Sequence, residues 1–371
     1  MSNKKYKKQS KFSLDNMIKN SKLDVCKSLK WFLIAPVVII LVGVILLCTV
    51  GFNLGIDFTG GSNMTICVDK EVTETTWDLE ENKGEIADVV EDVLKEHGLK
   101  LTTLQETVVD LSDVGMANNA KAIIIKYQND NSLETEAIEE TNNQIRLELL
   151  KAFGYVDVNV STMEDLEDID EAEFVTYGGV TTSTASSELM MKSFIALLVA
   201  VVLILVYVAF RFELTSGLAA ILALFHDLLI TSSLVLMFRI QINVSFIAAL
   251  ITILGYSINN TIIIFDRMRD DLRVAKKAEA RIDNNTIANR SIKDTMTRSL
   301  ITTLTTFVMI FMVAVIGVAD IREFAFPIVF GVLAGFYSSV FLTPGLWAIA
   351  YRPRKRKKTV VQVEAPAEDA E

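Results

Sequence analysis

Cysteine is scarce in this chain, with three in 371 residues, at positions 26, 48 and 67. Cys26 precedes a long apolar run, Cys48 lies inside it and Cys67 follows it. Three environments leave no two thiols to pair, and the spacing suits no metal site. There are two histidines and no zincin pair, and the chain has neither a Walker loop nor a nucleophile elbow. The sequence therefore offers no ground for an enzyme, and no cofactor or metal is expected. A signal peptide is not expected either. The first apolar run starts about thirty residues in, is too long for an h-region and lacks a small-x-small cleavage site. Leu46-Leu47 before Cys48 does not make a lipoprotein site.

Positive charge is missing from one stretch. Residues 51–190 hold 30 acidic and 8 basic residues, a balance of −22, whereas the whole chain carries −10 and the remainder +12. The basic residues gather at Lys4–Lys30, at Arg267–Arg281 and at Arg352–Lys358. Each cluster abuts a long apolar run, so it reads as a determinant of membrane orientation and anionic-lipid contact. Nucleic-acid binding is not expected.

What the chain has in quantity is apolar length, since 51% of its residues are hydrophobic. A bilayer-crossing helix needs about 20 mostly apolar residues. Six runs qualify: Trp31–Val50, Ser193–Phe210, Ser216–Phe238, Val244–Phe265, Ser299–Val318 and Phe324–Ala350. With the basic clusters inside, six spans place both termini in the cytoplasm and the acidic stretch outside. The organisation read from this is a basic cytoplasmic arm (1–30), a first span (31–50), an acidic extracytoplasmic domain with linker (51–190), a five-helix bundle (191–351) and a basic, disordered tail (352–371).

Within 51–190 the pattern is mixed. Asn63–Val68, Leu101–Leu111 and Ala120–Tyr127 read as strands. Glu85–His97 and Leu133–Phe153 read as amphipathic helices, and a last strand falls at Val156–Val160 or Phe174–Tyr177. The order β-α-β-β-α-β suits a ferredoxin-like sandwich, with a looser α+β fold as the alternative. The fold class is thus a polytopic α-helical membrane protein, with six transmembrane helices in a 1+5 arrangement and an extracytoplasmic α+β ferredoxin-like domain. Glu164–Glu173 reads as a solvated acidic loop, with calcium binding as the lesser alternative. Gly178-Gly179 and the Ser/Thr stretch to Ser187 read as a flexible return to the membrane.

Polar groups inside the apolar runs are the candidate site, because at that depth they need partners. His226 and Asp227 lie mid-run and, as sequence neighbours, point to different sides of a helix; either suits a proton relay. Gly255-Tyr256-Ser257-Ile258-Asn259-Asn260-Thr261 lies in the fourth run, which ends at Asp266-Arg267. Asn259 and Asn260 serve as interhelical hydrogen-bonding groups or as part of a transport path. Arg298, followed by Thr302, Thr303, Thr305 and Thr306, starts the fifth run. With a helix beginning near Ile292 it lies about 9 Å inside, at the depth of Asn260. It needs an acceptor, and Asp227 or another chain would supply the carboxylate. Gly331 and Gly335, with Ser338 and Ser339 following, are spaced for close helix packing. In the segment after the first run, Gly55-Ile56-Asp57-Phe58-Thr59-Gly60-Gly61, the glycines mark a sharp backbone change and Asp57 can cap a turn.

These motifs together resemble SecF, of the SecD/SecF family of protein-export membrane subunits. GIDFTGG (Gly55–Gly61), His226-Asp227, GYSINNTIIIFDR (Gly255–Arg267), TMTRSLITTLTT (Thr295–Thr306) and GVLAGFYSSVF (Gly331–Phe341) occur in the family's order between about residues 30 and 352. The resemblance implies one half of an RND-type assembly in the bacterial cytoplasmic membrane, completed by a SecD-like subunit. It implies assistance to late polypeptide translocation driven by the proton motive force. The implied partners are a Sec channel of the SecY/SecE/SecG type with auxiliary membrane subunits, unfolded exported polypeptides and the lipid bilayer. It associates the position of Arg298 with proton coupling. Asn260 stands where the family often carries Asp, which removes a titratable group from the fourth span. Two other classes stay open: an RND-type exporter of lipids or small molecules, and a non-conducting assembly subunit.

Overall fold

The computed structural model describes residue 18 and residues 24–69, 77–79, 81–110, 119–129, 134–155, 175–277 and 283–351. Most of the Lys-rich arm, the acidic run Glu164–Glu173, the alternative strand Val156–Val160 and the basic tail lie outside them. Six helices in the described residues are long and apolar enough to cross a membrane. They are α1 (Leu29–Thr49), α5 (Ser183–Arg211), α6 (Leu214–Met237), α7 (Val244–Lys277), α8 (Asn284–Ile316) and a final composite. The composite runs α9 (Ala319–Tyr337), a π-helical turn (Ser338–Leu342) and α10 (Thr343–Ala350).

Between α1 and α5 lies the small domain. A one-turn helix α2 (Ile56–Thr59) leads into β1 (Gly61–Cys67), α3 (Lys83–Glu96), β2 (Lys100–Asp110), β3 (Asn119–Gln128), α4 (Thr135–Ala152) and β4 (Val175–Thr181). The strands form one antiparallel sheet in the order β2-β3-β1-β4. This order with two crossing helices is the ferredoxin-like sandwich. Period-two alternation sets its two faces. Met64, Ile66, Ile123, Ile125 and Tyr127 pack under Ile86, Val90 and Leu94 of α3 and Ile145 and Leu149 of α4. Each of these aliphatic side chains contributes roughly 1.5–3 kcal/mol by leaving water. Asn63, Thr65, Ile124 and Lys126 fall on the opposite face, towards the bundle.

Three expectations change. Gly178 and Gly179 belong to β4, and α5 begins at Ser183 with Thr182 capping it, its Oγ1 accepting from the Ala185 N–H at 3.3 Å. The return is thus regular structure rather than a flexible linker, because pairing with β1 satisfies the backbone that glycine alone leaves free. The connection between the fourth and fifth spans is mostly helix. α7 runs on to Lys277 and α8 starts at Asn284. Charges at helical spacing sustain this hairpin: Arg267 Nη2 lies 2.5 Å from Asp294 and 3.4 Å from Asp271. Arg298 therefore lies about 21 Å along its helix, not 9 Å, at ~1.5 Å per residue.

The last span also departs from regular helix. At Ser338–Leu342 the turn widens to π, with the Thr343 hydroxyl donating to the Ser338 carbonyl at 2.9 Å. Such widened turns often mark functional positions.

Candidate functional site

The centre of the bundle is built on Asp227. It is the fourteenth residue of the 24-residue α6, and its side chain is fully buried. Ser257 of α7 and Ser338 of the π-turn both donate to its Oδ2, the latter at 2.9 Å, while His226 Nδ1 lies 2.8 Å from its Oδ1. Sequence neighbours thus do meet here, because the imidazole folds back onto the adjacent carboxyl. Three helices converge on one carboxyl group, and the close approach of α7 to α9 uses small residues. A Cβ on Gly335 would lie 3.1 Å from Ser257 Cβ, and one on Gly331 would overlap Ile253. The two glycines are packing sites, as their spacing predicts. Thr261 and Ser339 hydroxyls add a bond at 2.9 Å one turn further along α7.

The interface of α7 with α8 is polar as well. The Tyr256 hydroxyl donates to Thr303 Oγ1 at 3.2 Å. One turn towards the hairpin, Asn260 and Ser299 come to the same level. Both are buried, and Asn260 Nδ2 and Ser299 Oγ have no hydrogen-bond partner among the described residues. His226 Nε2 and Thr231 Oγ1 are likewise unpartnered. Asn260 Nδ2 therefore does not act as interhelical glue within this chain, and Asn259 faces outward.

Arg298 does not reach this cluster. Its side chain is exposed, on a face of α8 shared with Thr302 and Thr305, whose hydroxyls bond back to their own helix. Asp227 is occupied by His226, Ser257 and Ser338, so it is not the acceptor for Arg298. Asp266 and Arg267 each form ion pairs, with other residues, and both sit inside the continuing helix rather than at its end. Asp266 receives Arg211 Nη2 at 2.7 and 2.8 Å and Arg269 at 2.6 Å.

At the other end of the bundle the glycine-rich segment joins domain to membrane helices. Gly60 has φ +80° and a Cβ on Gly61 would overlap the Tyr127 carbonyl, so both positions need glycine. Gly55 N–H donates to the Ile242 carbonyl at 2.8 Å, and Ser186 Oγ of α5 donates to the Ile56 carbonyl at 3.2 Å. Asp57 caps a helix other than its own, since its Oδ2 accepts from the Val244 N–H of α7 at 3.2 Å. Phe58 packs against the Val235–Phe246 cluster. Glu323, a buried residue the sequence reading passed over, takes Asn243 Nδ2 at 2.5 Å and Gln105 of β2. A glutamate immediately before an apolar run was its one visible signal.

Residues 162–352 match the family described as protein export membrane protein SecD/SecF, C-terminal, and residues 45–72 match the SecD/SecF GG motif. A protein translocase subunit SecF of Calditerrivibrio nitroreducens is 31% identical, over 92% of this chain and 98% of its own length. One of Helicobacter pylori is 33% identical, over 84% and 82%. The crystal structure of SecDF, a translocon-associated membrane protein from Thermus thermophilus, superposes with a TM-score of 0.63 at 25% identity; it covers 88% of this chain, which spans 38% of that longer one. The buried carboxyl at the centre of the bundle, the glycine segment that ties the domain to it and these likenesses converge on one assignment: the chain belongs to the SecD/SecF family of protein-export membrane proteins, as a multi-pass SecF-type member.

Proposed function

We propose that this chain is a Sec-pathway export subunit that works with a SecD-like partner and uses the proton motive force to assist late translocation of polypeptides. The fused SecDF neighbour, of which this chain matches 38%, supports a second half of similar build. In this reading the termini lie in the cytoplasm, residues 51–190 lie outside, and the chain sits in a bacterial cytoplasmic membrane beside a SecY/SecE/SecG-type channel.

The observation that carries the reading is Arg298. A guanidinium on an apolar helix face requires an acceptor, and among the described residues it has none. The missing carboxylate then comes from the SecD-like subunit, packed on the outer face of α8. With Asn260 in its own fourth span, this chain leaves most of the proton path to the partner and contributes the Asp227–His226 cluster and Arg298. Arg298→Met is expected to abolish gradient-dependent export while the pair still assembles. Export that remains gradient-dependent in Arg298→Met would reject the assignment. Neither an independent exporter of lipids or small molecules nor a passive assembly subunit is favoured by the likeness to translocase subunits.

A further inference from the structure

The face of the sheet that α3 and α4 leave open roofs a polar gap above the bundle. The gap comprises two cavities of about 410 and 390 Å³ that share Gln241 of the α6–α7 connection in their walls. Both sizes fall in the range of about 300–1,000 Å³ that holds ligands. Three side-chain carboxamides line them with a hydrogen-bonding atom left over. Gln241, 5% exposed, has an unpartnered Nε2 donor, and Asn63 Oδ1 and Gln105 Oε1 are buried acceptors without a partner. Buried polar atoms in this state are rare and call for an occupant.

The chemistry of these atoms is neutral and mixed. A donor and two acceptors match the alternating C=O and N–H of an extended main chain. The charged groups of the first cavity, Asp57 and Lys126, are of opposite sign. The second mixes Lys83, Arg239 and Arg322 with Glu106 and Glu323; Lys83 is paired with Glu106 and both arginines donate to backbone carbonyls, so an anionic headgroup is not the better fit. The spacing is also suitable. Asn63 pairs with Lys126, and Gln105 pairs with Ile124. The two acceptors are thus two strands apart and two residues out of step, roughly 12 Å between backbone positions. An extended chain covers that distance in about four residues.

We propose that this trough binds a segment of extended, unfolded polypeptide through its main chain, independent of sequence, at the junction of domain and membrane. The proposal rests on the export reading above and gives it a substrate site in this subunit. Asn63, Gln105 and Gln241 are its binding residues, and Glu323 positions Gln105 by occupying its amide nitrogen.

The test uses the full-length chain in lipid nanodiscs carrying a photo-crosslinking residue at Ser245 or at Thr103, one on the wall of each cavity. Ser245 is half-buried, so its replacement spares the interior. The probe is reduced, carboxymethylated α-lactalbumin, which is permanently unfolded, with native α-lactalbumin as control. Adducts to the unfolded probe are expected from both positions and not from Val108, which lies on β2 outside both cavities and is 55% exposed. Asn63→Ala with Gln241→Ala, in the Ser245 background, is expected to lower crosslinking by roughly tenfold, as the loss of two hydrogen bonds allows. Equal adducts with the native control, adducts with lipid alone, or none at either position would overturn the trough. This measurement needs no partner, channel or gradient, so it fails separately from the export assignment.

Discussion

Asp227 shows how a single side chain organises the bundle. Its carboxyl collects hydroxyls from two other helices and the imidazole beside it, and in a medium without water each of those donors depends on it in turn. Asp227→Leu leaves Ser257 without its acceptor and Ser338 with only the Gly335 carbonyl at 3.3 Å, and is expected to cost about 2–5 kcal/mol, whereas Ser338→Ala removes one donor and costs about 1 kcal/mol. Unfolding in a mixed-micelle denaturant series distinguishes the two, and equal losses would show that Asp227 has no organising role. At Cys67, outside the spans, burial and then the charge of Asp69 push the thiol up to about 11. Its thiolate is therefore negligible at pH 7–8, and maleimide labelling is expected to require unfolding of the domain. Rapid labelling of the native protein would contradict the buried position of β1.

At the scale of elements, α7 and α9 set the geometry of the site. Ser257 approaches Gly335, and Ile253 fills the space over Gly331. Without a hydrophobic drive between helices in lipid, such close approach carries the association. Gly331→Leu is expected to destabilise by roughly 1–3 kcal/mol through overpacking and to shift Ser257 and Ser338 off Asp227, while Gly255→Ala, with nothing near its Cβ position, is expected to leave thermal stability unchanged. The same midpoint for both variants would contradict this packing. Glu323 ties the sheet itself to the bundle, receiving Gln105 from β2 and Asn243 from the α6–α7 connection. Glu323→Ala strands both amides, and limited proteolysis is expected to cut between α1 and β1 sooner than in the parent chain. Unchanged cleavage would mean that α2 alone holds the domain.

At the scale of the molecule, α8 leaves one side unpaired. Arg298, Thr302 and Thr305 share the outside of α8 with Leu304, Val308 and Met309, whereas α6, α7 and the last span are half or more buried. An arginine on a surface otherwise suited to lipid is the mark of a missing partner. Mild-detergent purification of the tagged chain from its native membrane is expected to bring down a SecD-like chain in near-equal amount, with channel subunits at lower yield. Recovery of the chain alone would favour the independent-transporter reading.

Sequence periodicity and run length were enough to determine six membrane-crossing helices, the β-α-β-β-α-β order, the polar residues at mid-membrane and the motifs that carry the family resemblance, because each of these is a property of consecutive residues. Tertiary structure decided which of those polar residues meet. Only the fold brings Ser257 and Ser338 to Asp227, gives Asp57 to a helix that begins 187 residues later, turns Arg298 outward and places Gln105 on Glu323. Hydrogen bonds between elements depend on helix rotation and crossing, which a one-dimensional pattern does not encode. The extension of α7 and α8 was hidden for a related reason. Charged helical turns beyond an apolar run look like a loop until the opposite charges of the neighbouring helix are in place to pair with them.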